Sequence, residues 1–340
     1  MDRTIDRETL ARLPKLDLHV HLDGSLRPET VRELWDALPE GRRPPIADTV
    51  EQAVLPHVPC TLEEYLEAFR ITVALLQTPA ALERAAWELC EDAASENVVY
   101  IEIRFAPLLH LRRGLSPGKV VEAVLAGMRR AEAALPIHTG LILCAMRNEP
   151  PERSEKVARL AGRYRDQGVV GFDLAGPEEG FPLSAHVQAI RLAQEAGVHL
   201  TLHAGEGCCP ENIAEAIELG AERIGHGVYL FQDPATEARV REARIPLEVC
   251  PTSNLQISGF MRSLADHPLK RYLGLGIPVT VNTDNRLMSQ TSSTEELWRV
   301  VEAFGLSWGE VQTILLASAE ASFAPPSIKD EVRARVHAAI

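Results

Sequence analysis

The sequence predicts an α/β fold, a TIM (β/α)8 barrel, on three observations. Eight short apolar or β-branched segments recur along the 340 residues, and segments with helical spacing separate them. The eight segments are almost continuously hydrophobic, which is typical of parallel strands buried on both faces. Polar residues follow several of them all round their order, whereas an open doubly wound sheet would concentrate such residues at one switch point. We therefore expect residues 1–340 to form a single barrel domain.

The predicted strands follow one another along the chain without a linker. They are 16–22, 98–107, 138–147, 169–176, 199–206, 223–228, 246–254 and 278–285. The rival architecture, an open nucleotide-binding sheet, would place a GxGxxG motif after its first strand. No such motif follows residue 22, which favours the barrel.

The connection between the first two strands is longer than one crossover helix needs. Helical patterns occur there at 27–38, 61–76 and 80–96. We expect the surplus helices to cover the mouth of the barrel as a lid. Further helical patterns after residue 285 predict a helical C-terminal tail, at 293–304, 308–319 and 328–339.

Composition excludes several classes of function. Lys plus Arg number 35 and Asp plus Glu 48, a formal charge of −13 without a dense basic run, so nucleic acid is not an expected partner. No apolar stretch reaches the ~18 residues that span a bilayer, and the polar N-terminus lacks a signal-peptide core. The six cysteines form no CxxC pair, which favours reduced thiols. These features predict a cytoplasmic protein without a membrane partner and leave its oligomeric state open.

Imidazole and carboxylate side chains gather at the C-terminal ends of four predicted strands. Barrel active sites are built at this end. Each residue alone has a structural explanation, such as a hydrogen-bonded core histidine or a helix N-cap, but charged groups rarely share one barrel end without a function. The set comprises His19, His21, His203, Glu206, His226 and Asp284. We interpret the remaining histidines as structural: His57, His110, His138, His186, His199, His267 and His337.

Three imidazoles and one carboxylate are ligands that Zn²⁺ accepts. The strand at 169–176 contains no lysine to bridge two ions, so we predict one ion. Glu206, three residues after His203, is placed to act as an acid towards a substrate. His226 would lie beside the metal-bound water, either as a base or as electrostatic support.

Six segments together resemble the motifs of the adenosine deaminase family, within the metal-dependent amidohydrolase superfamily. They are LDLHVHLDGSLRPETV, VVGFDLAGPE, LTLHAGEG, RIGHGV, VCPTSN and VNTDN, in the order of the family. The resemblance implies zinc-dependent hydrolytic deamination of adenosine and 2′-deoxyadenosine to inosine and 2′-deoxyinosine plus ammonia, a purine salvage reaction. It also implies the ligands of one Zn²⁺: His19, His21, His203 and Asp284.

The resemblance further implies roles in catalysis and in binding a purine nucleoside. Glu206 would protonate the purine ring nitrogen next to the reacting carbon. His226 and Asp284 would deprotonate and orient the zinc-bound water. Asp23 and His21 would contact the ribose, and the Gly176 amide the purine. Tyr65 and Phe69 would be apolar lid residues, although an ordinary amphipathic helix core explains them equally well.

The sequence departs from the family at Asp284-Asn285-Arg286, where the family has two aspartates and commonly a proline. The Asn285 amide can still donate to the five-membered ring of a purine. Arg286 would add a cation near the mouth that could meet a carboxylate or phosphate. The alternative substrates are therefore adenine, aminodeoxyfutalosine and an N6-substituted adenine nucleotide. Two further hypotheses, a binding protein without catalysis and a multinuclear phosphoesterase, are less favoured because no ligand is missing and the second strand offers none.

Overall fold

The computed structural model describes residues 5–47 and 49–339. Eight parallel strands form one sheet in the order of the sequence, and the surrounding helices complete the predicted TIM barrel. The strands are β1 (Lys15–His21), β2 (Val98–Phe105), β3 (His138–Met146), β4 (Val169–Ala175), β5 (His199–Ala204), β6 (Arg223–His226), β7 (Leu247–Val249) and β8 (Val279–Val281).

The barrel closes where the chain beyond β8 meets β1. The backbone amide of His21 donates to the Asp284 carbonyl at 2.7 Å, and the Asp284 amide donates to the His19 carbonyl at 2.8 Å. Closure therefore places the predicted ligands of the first and last strands side by side.

The α-helices of the described ranges are α1 (Arg7–Arg12), α2 (Pro28–Asp36), α3 (Val50–Ala53), α4 (Leu62–Glu67), α5 (Phe69–Leu75), α6 (Pro79–Ser95), α7 (Pro117–Ala134), α8 (Pro151–Tyr164), α9 (Val187–Glu195), α10 (Pro210–Glu218), α11 (Pro234–Ala243), α12 (Pro251–Ile257), α13 (Leu269–Gly274), α14 (Ser293–Phe304), α15 (Trp308–Ala321) and α16 (Pro326–Ala339). Short 3₁₀ helices lie at Glu40–Arg42, Pro107–His110, Arg165–Gln167, Leu183–His186, Val228–Gln232 and Leu264–Asp266. Within 5–47 and 49–339, no helix combines the length and hydropathy that crossing a bilayer requires.

Capping residues and prolines explain where the long outer helices begin. The Thr78 side chain accepts from the Ala81 amide before α6, and Ser116 accepts from Lys119 before α7. Both helices carry proline at their first position, where the missing N–H costs nothing. Because α6 packs on α7 and β2, it is the ring helix of the first crossover. The other crossover helices are free to cover the mouth, as predicted.

Three local expectations were wrong. The predicted helix 61–76 is divided into α4 and α5 at Ala68, whose backbone stays in the right-handed helical region. The predicted strand 246–254 ends at Val249, because Pro251 suits the first position of helix α12. Cys208 and Cys209, which we expected to be reduced, form a disulfide between adjacent residues. The described free cysteines are Cys60, Cys90, Cys144 and Cys250.

Charged side chains lie among the apolar residues of the barrel interior. Arg104 on β2 and Arg223 on β6 are almost fully buried. Glu248 on β7 accepts from both, at 2.8 Å from Arg104 and 2.5 Å from Arg223. A buried charge without a partner is strongly destabilising, so these residues form one network. The network lies directly behind the predicted metal ligands.

Candidate active site

Strands β1, β5 and β8 bring three imidazoles and one carboxylate together. The Nε2 atoms of His21 and His203 are 3.3 Å apart. Asp284 Oδ1 lies 3.5 Å from His21 Nε2 and 3.6 Å from His19 Nε2. Ligands arranged tetrahedrally around zinc at the usual bond lengths are about 3.4 Å apart. The predicted ligand atoms are therefore spaced as the ligands of one ion would be, and within residues 5–47 and 49–339 the buried His19 Nε2 has no hydrogen-bond partner.

A carboxylate stands behind two of these rings. His19 Nδ1 lies 2.8 Å from Glu248 Oε2, and His203 Nδ1 lies 2.9 Å from Asp173 Oδ2. An ionised carboxylate only accepts, so each Nδ1 carries the hydrogen and each Nε2 keeps its lone pair for an ion. Burial holds the pKa of His19 and His21 well below the usual value, which keeps both rings neutral.

Arg104 joins the two carboxylates. Its guanidinium donates to Asp173 at 2.9 Å and to Glu248 at 2.8 Å. Burial acts to raise the pKa of Asp173, but His203 and Arg104 outweigh it and hold that pKa well below its usual range. The carboxylate behind His203 is therefore ionised at neutral pH.

His226 occupies the opposite side of the same cluster. Its ring centroid lies 4.5 Å from that of His19, and its Nε2 lies 3.5 Å from Glu206 Oε1. The backbone of His226 has φ 65° and that of Asp284 φ 59°, in the left-handed region that residues other than glycine rarely adopt. Such conformations cluster at functional sites, where the surrounding structure maintains them.

Glu206 lies in a loop that is held by a buried carboxylate, Glu178. This carboxylate accepts from four successive backbone amides, at 2.7 Å from Gly205, 2.9 Å from Glu206, 3.0 Å from Gly207 and 3.3 Å from Cys208. Burial, then Asp284 and Glu178, raise the pKa of Glu206 well above its usual value. This shift favours the carboxylic acid form of Glu206, which has a proton to donate.

The cluster opens into a cavity of about 290 Å³. Its wall includes all the predicted substrate contacts, together with three of the predicted metal or catalytic residues. These residues are His21, Asp23, Tyr65, Phe69, Gly176, His203, Glu206, Asp284 and Asn285. His19 and His226 lie behind this wall, fully buried. The structure thus brings the whole predicted set to one place.

Helices α4 and α5 form the outer wall of the cavity. The Tyr65 hydroxyl lies 2.9 Å from Ser289 Oγ, and the Phe69 ring lies 6.2 Å from the His21 ring. Both aromatic residues also pack in an apolar cluster with Leu62. They therefore line the cavity and stabilise the lid helices at the same time.

Glycines permit two close approaches in the site. A Cβ atom on Gly24 would lie 1.9 Å from Asn285 Oδ1, so no larger residue fits beside Asn285. A Cβ atom on Gly225 would lie 3.2 Å from His19 Cε1 and 3.1 Å from the His203 Cα atom. The glycine before His226 therefore allows β6 to lie close to two of the predicted ligands.

The expectation that Arg286 presents a cation at the mouth was wrong. Its guanidinium is buried, pairs with Glu96 at 2.7 Å and lies 3.6 Å from Asp17. The buried carboxylate of Asp17 and the partly buried one of Glu96 are paired by this positive charge, which explains its inward position. The cations that do line the cavity are Arg70 and Arg112.

Sequence reasoning missed the residues that stand behind the site. Arg104, Asp173 and Glu248 carried a usable signal, since each is a charged residue within an otherwise apolar strand and must be paired there. Glu178 and Asn254 lie after strands and carried no such signal. Two histidines that we interpreted as structural also touch site residues: His110 lies 3.7 Å from Asp23, and His267 lies 3.2 Å from Asn254.

Comparison with known proteins identifies the family. The sequence profile of the family described as Adenosine deaminase matches residues 14–339. The chain belongs to the adenosine deaminase family. It is therefore an enzyme of the adenosine deaminase type, a hydrolase acting on C–N bonds.

Known proteins are similar to this one over almost the whole chain. The adenosine deaminase of Mycobacterium ulcerans (strain Agy99) is 43% identical over 338 residues, covering 93% of this chain and 92% of that protein. The adenine deaminase structure from Arthrobacter aurescens superposes with a TM-score of 0.88 at 27% identity, over 96% of this chain and 98% of that one.

Two further family structures carry information about ligands. The Arabidopsis N6-mAMP deaminase has a TM-score of 0.88 at 30% identity, over 97% of this chain and 99% of that one. A Burkholderia ambifaria amidohydrolase with bound Zn has a TM-score of 0.86 at 25% identity, over 99% of this chain and 93% of that one. This adenosine deaminase family member thus resembles enzymes that differ in their purine substrates.

Proposed function

We propose that this chain deaminates adenosine and 2′-deoxyadenosine to inosine and 2′-deoxyinosine, with one zinc ion, in purine salvage. The observation that carries the proposal is the spacing of four ligand atoms for one ion beside a protonated Glu206. Zinc is supported by the ligand types, three imidazoles and one carboxylate, and by the bound Zn of the Burkholderia neighbour.

His19, His21, His203 and Asp284 would hold the ion. When bound, zinc supplies a nucleophile by lowering the pKa of a coordinated water towards ~7. Asp284 Oδ1 lies 3.5 Å from His21 Nε2 and 3.6 Å from His19 Nε2, and its carboxylate would accept the proton of the attacking water. That proton then passes to the amine that leaves as ammonia.

Glu206 supplies the acid on the other side of the reacting carbon. It donates its proton to the adjacent ring nitrogen, which makes the carbon more electrophilic. Glu178 supports this step because four hydrogen bonds fix the backbone that carries Glu206. A fixed acid loses little entropy when the substrate arrives.

The cavity wall would orient the nucleoside. Asp23 and His21 would bind the ribose hydroxyls and the Gly176 amide a purine edge, since all three residues line the cavity. The Oδ1 atom of Asn285 lies against Gly24, which leaves its amide NH₂ to donate to the five-membered ring. Phe69 would cover the purine from the lid side and exclude water.

The test is an assay of absorbance loss on adenosine, 2′-deoxyadenosine and adenine, with zinc content measured on the same sample. We expect the two nucleosides to be turned over with similar kcat/KM and adenine far more slowly. A chelator should abolish turnover, and added zinc should restore it. Adenosine proving the poorest substrate by orders of magnitude, or activity without any bound transition metal, would contradict the proposal.

A second candidate is the same reaction on a 6-aminopurine nucleotide. Arg70 and Arg112 line the cavity, and in the described ranges neither guanidinium pairs with a carboxylate. The Arabidopsis neighbour is an N6-mAMP deaminase. Adding AMP, N6-methyl-AMP and aminodeoxyfutalosine to the same assay separates the candidates, because only a nucleotide enzyme should lose activity selectively on phosphorylated substrates in Arg112→Gln.

A further inference from the structure

The residue behind His226 is an amide, not a carboxylate. Asn254 Nδ2 lies 2.9 Å from His226 Nδ1, and all of this contact is buried. The two ends of an asparagine amide are chemically opposite, one a donor and the other an acceptor. Which end faces His226 therefore decides which ring nitrogen of His226 carries its hydrogen.

A backbone amide fixes the orientation of Asn254. The Cys250 N–H donates to Asn254 Oδ1 at 3.2 Å. A backbone N–H can only donate, so the atom facing Cys250 must be the oxygen. The NH₂ end then points at His226 Nδ1 and donates to it.

A second backbone amide fixes the next ring in the chain of hydrogen bonds. The Leu269 N–H donates to His267 Nδ1 at 3.0 Å, so that nitrogen is an acceptor. His267 Nε2 therefore carries the hydrogen, and it donates to Asn254 Oδ1 at 3.2 Å. Burial lowers the pKa of His267 to about 3, so the ring is neutral near pH 7. Both backbone donors thus give the same orientation for Asn254.

We infer that Asn254 and His267 are positioning residues that hold His226 as the Nε2–H tautomer. The inference rests on the proposed function, and it takes electrostatic support rather than proton abstraction as the role of His226. A neutral ring that accepts at Nδ1 carries its hydrogen on Nε2. Among the described residues the buried Nε2 has no hydrogen-bond partner, and Glu206 Oε1 lies 3.5 Å away, so this hydrogen is available to the nucleophile.

The same tautomer decides between competing ion sites. Donor atoms also lie within ligand range of one another in two groups that contain His226, one with His19 and Cys250, the other with His203 and Glu206. An Nε2 atom that carries hydrogen has no lone pair for a metal ion. The ion is therefore assigned to the group His19, His21 and His203, in which the carboxylates behind His19 and His203 leave the Nε2 atoms of these two rings available.

The substitution Asn254→Asp should reverse the direction of the hydrogen bond between residue 254 and His226 Nδ1. An ionised carboxylate can only accept, so His226 would carry its hydrogen on Nδ1 and turn a lone pair towards the cavity. The donor to the nucleophile is lost while the shape of the side chain is kept. Removing one such donor lowers kcat about 100-fold or more, and KM should change far less.

The deciding measurement is the ¹⁵N spectrum of the histidine rings, since protonated and unprotonated ring nitrogens have well-separated shifts. Protein labelled with ¹⁵N-histidine is measured with zinc and after metal removal, and the signal missing in His226→Gln assigns the ring. We expect Nε2–H in the native protein and Nδ1–H in Asn254→Asp. A native His226 with its hydrogen on Nδ1 overturns the inference, and this holds even if Asn254→Asp fails to fold.

His186→Gln is the matched control. His186 is equally buried and also makes two hydrogen bonds, at 2.8 Å to Ser154 and 3.0 Å to the Arg147 carbonyl, but it does not line the active-site cavity. Its substitution should leave the His226 signals and kcat unchanged, whereas an equal loss in both variants would indicate a general effect of packing. The spectrum does not depend on turnover. A protein with the Nε2–H tautomer that fails to deaminate adenosine would therefore contradict the proposed function alone.

Discussion

The imidazole rings on the two sides of the predicted metal site differ in the side chain that their Nδ1 atoms contact. On the side of β1 and β5, the carboxylates of Glu248 and Asp173 accept from Nδ1. On the side of β6, the Asn254 amide donates to the Nδ1 of His226. The first arrangement turns lone pairs towards the cavity and the second turns a hydrogen towards it. The residue that contacts Nδ1 therefore decides whether a histidine of this site is a metal ligand or a hydrogen-bond donor.

The two sides also differ in charge. Arg104 joins both carboxylates on the ligand side, so a buried cation and two anions are held there together. The chain of hydrogen bonds behind His226 contains a neutral amide and a neutral ring. Ionised partners raise the basicity of a ligand, whereas neutral partners fix a tautomer without adding charge. Substitutions on the ligand side should therefore reduce zinc binding, whereas substitutions behind His226 should change its tautomer.

The largest expected effect is the loss of a ligand in His203→Ala. Zinc content should fall together with turnover, and kcat should drop by at least ~10³-fold because the nucleophile depends on the ion. Metal analysis and kinetics on the same preparation measure this. His199→Ala, on the exposed start of the same strand, is the control and should keep both. Stoichiometric zinc in His203→Ala would remove His203 from the ligand set.

The substitution Glu206→Gln should keep zinc and lose turnover. A neutral amide cannot deliver the proton, so we expect kcat to fall by about 10²–10⁴-fold. The loop should stay in place because Glu178 binds its backbone and not the Glu206 side chain. Glu179→Gln, an exposed neighbour of Glu178, should be close to the native enzyme. Near-normal kcat in Glu206→Gln would refute the acid role.

A smaller effect is expected for Asp173→Asn. This substitution places an amide behind His203, as Asn254 does behind His226. An amide that donates to Nδ1 would move the ring hydrogen to Nε2 and oppose metal binding. We expect zinc affinity to fall by about 10- to 100-fold, measured by competition with a chelator. The exposed Asp166→Asn serves as the control. Unchanged affinity would mean that the partner behind the ring does not select its role.

The smallest effect concerns stability in acid on the His226 side. His267 has a pKa of about 3 when folded, below the ordinary value of 6.5, so the unfolded chain binds more protons between these values. The contribution of His267 to stability is therefore largest above pH 6.5 and falls as the pH is lowered towards 3. From pH 6.5 to 5 this ring alone costs about 2 kcal/mol. Denaturant unfolding at the two pH values measures this effect. The free energy of unfolding should fall by about 2 kcal/mol more in the native protein than in His267→Gln. An equal fall in both proteins would contradict the expected pKa.

Periodicity predicted the eight strands and the helices between them, because parallel strands buried on both faces are continuously apolar and helices have a different repeat. The polar residues after several strands then favoured the barrel over an open sheet. The ends of elements were less predictable. The segment 246–254 contains both β7 and the start of α12, and only packing decides where one ends. The lid position of Tyr65 could not be derived from its helix either, since a lid residue and a core residue share the same spacing.

The sequence by itself determined the reacting groups, because His19, His21, His203, Glu206 and Asp284 are recognisable by type and by their place after strands. Tertiary structure alone decided what each group is able to do. Arg286 illustrates this, since its guanidinium pairs with the carboxylates of Asp17 and Glu96 away from the mouth. The hydrogen of His226 illustrates it again, since amides of residues 250 and 269 fix it through two intervening side chains. Protonation and tautomer depend on neighbours in space, and those neighbours are distant along the chain.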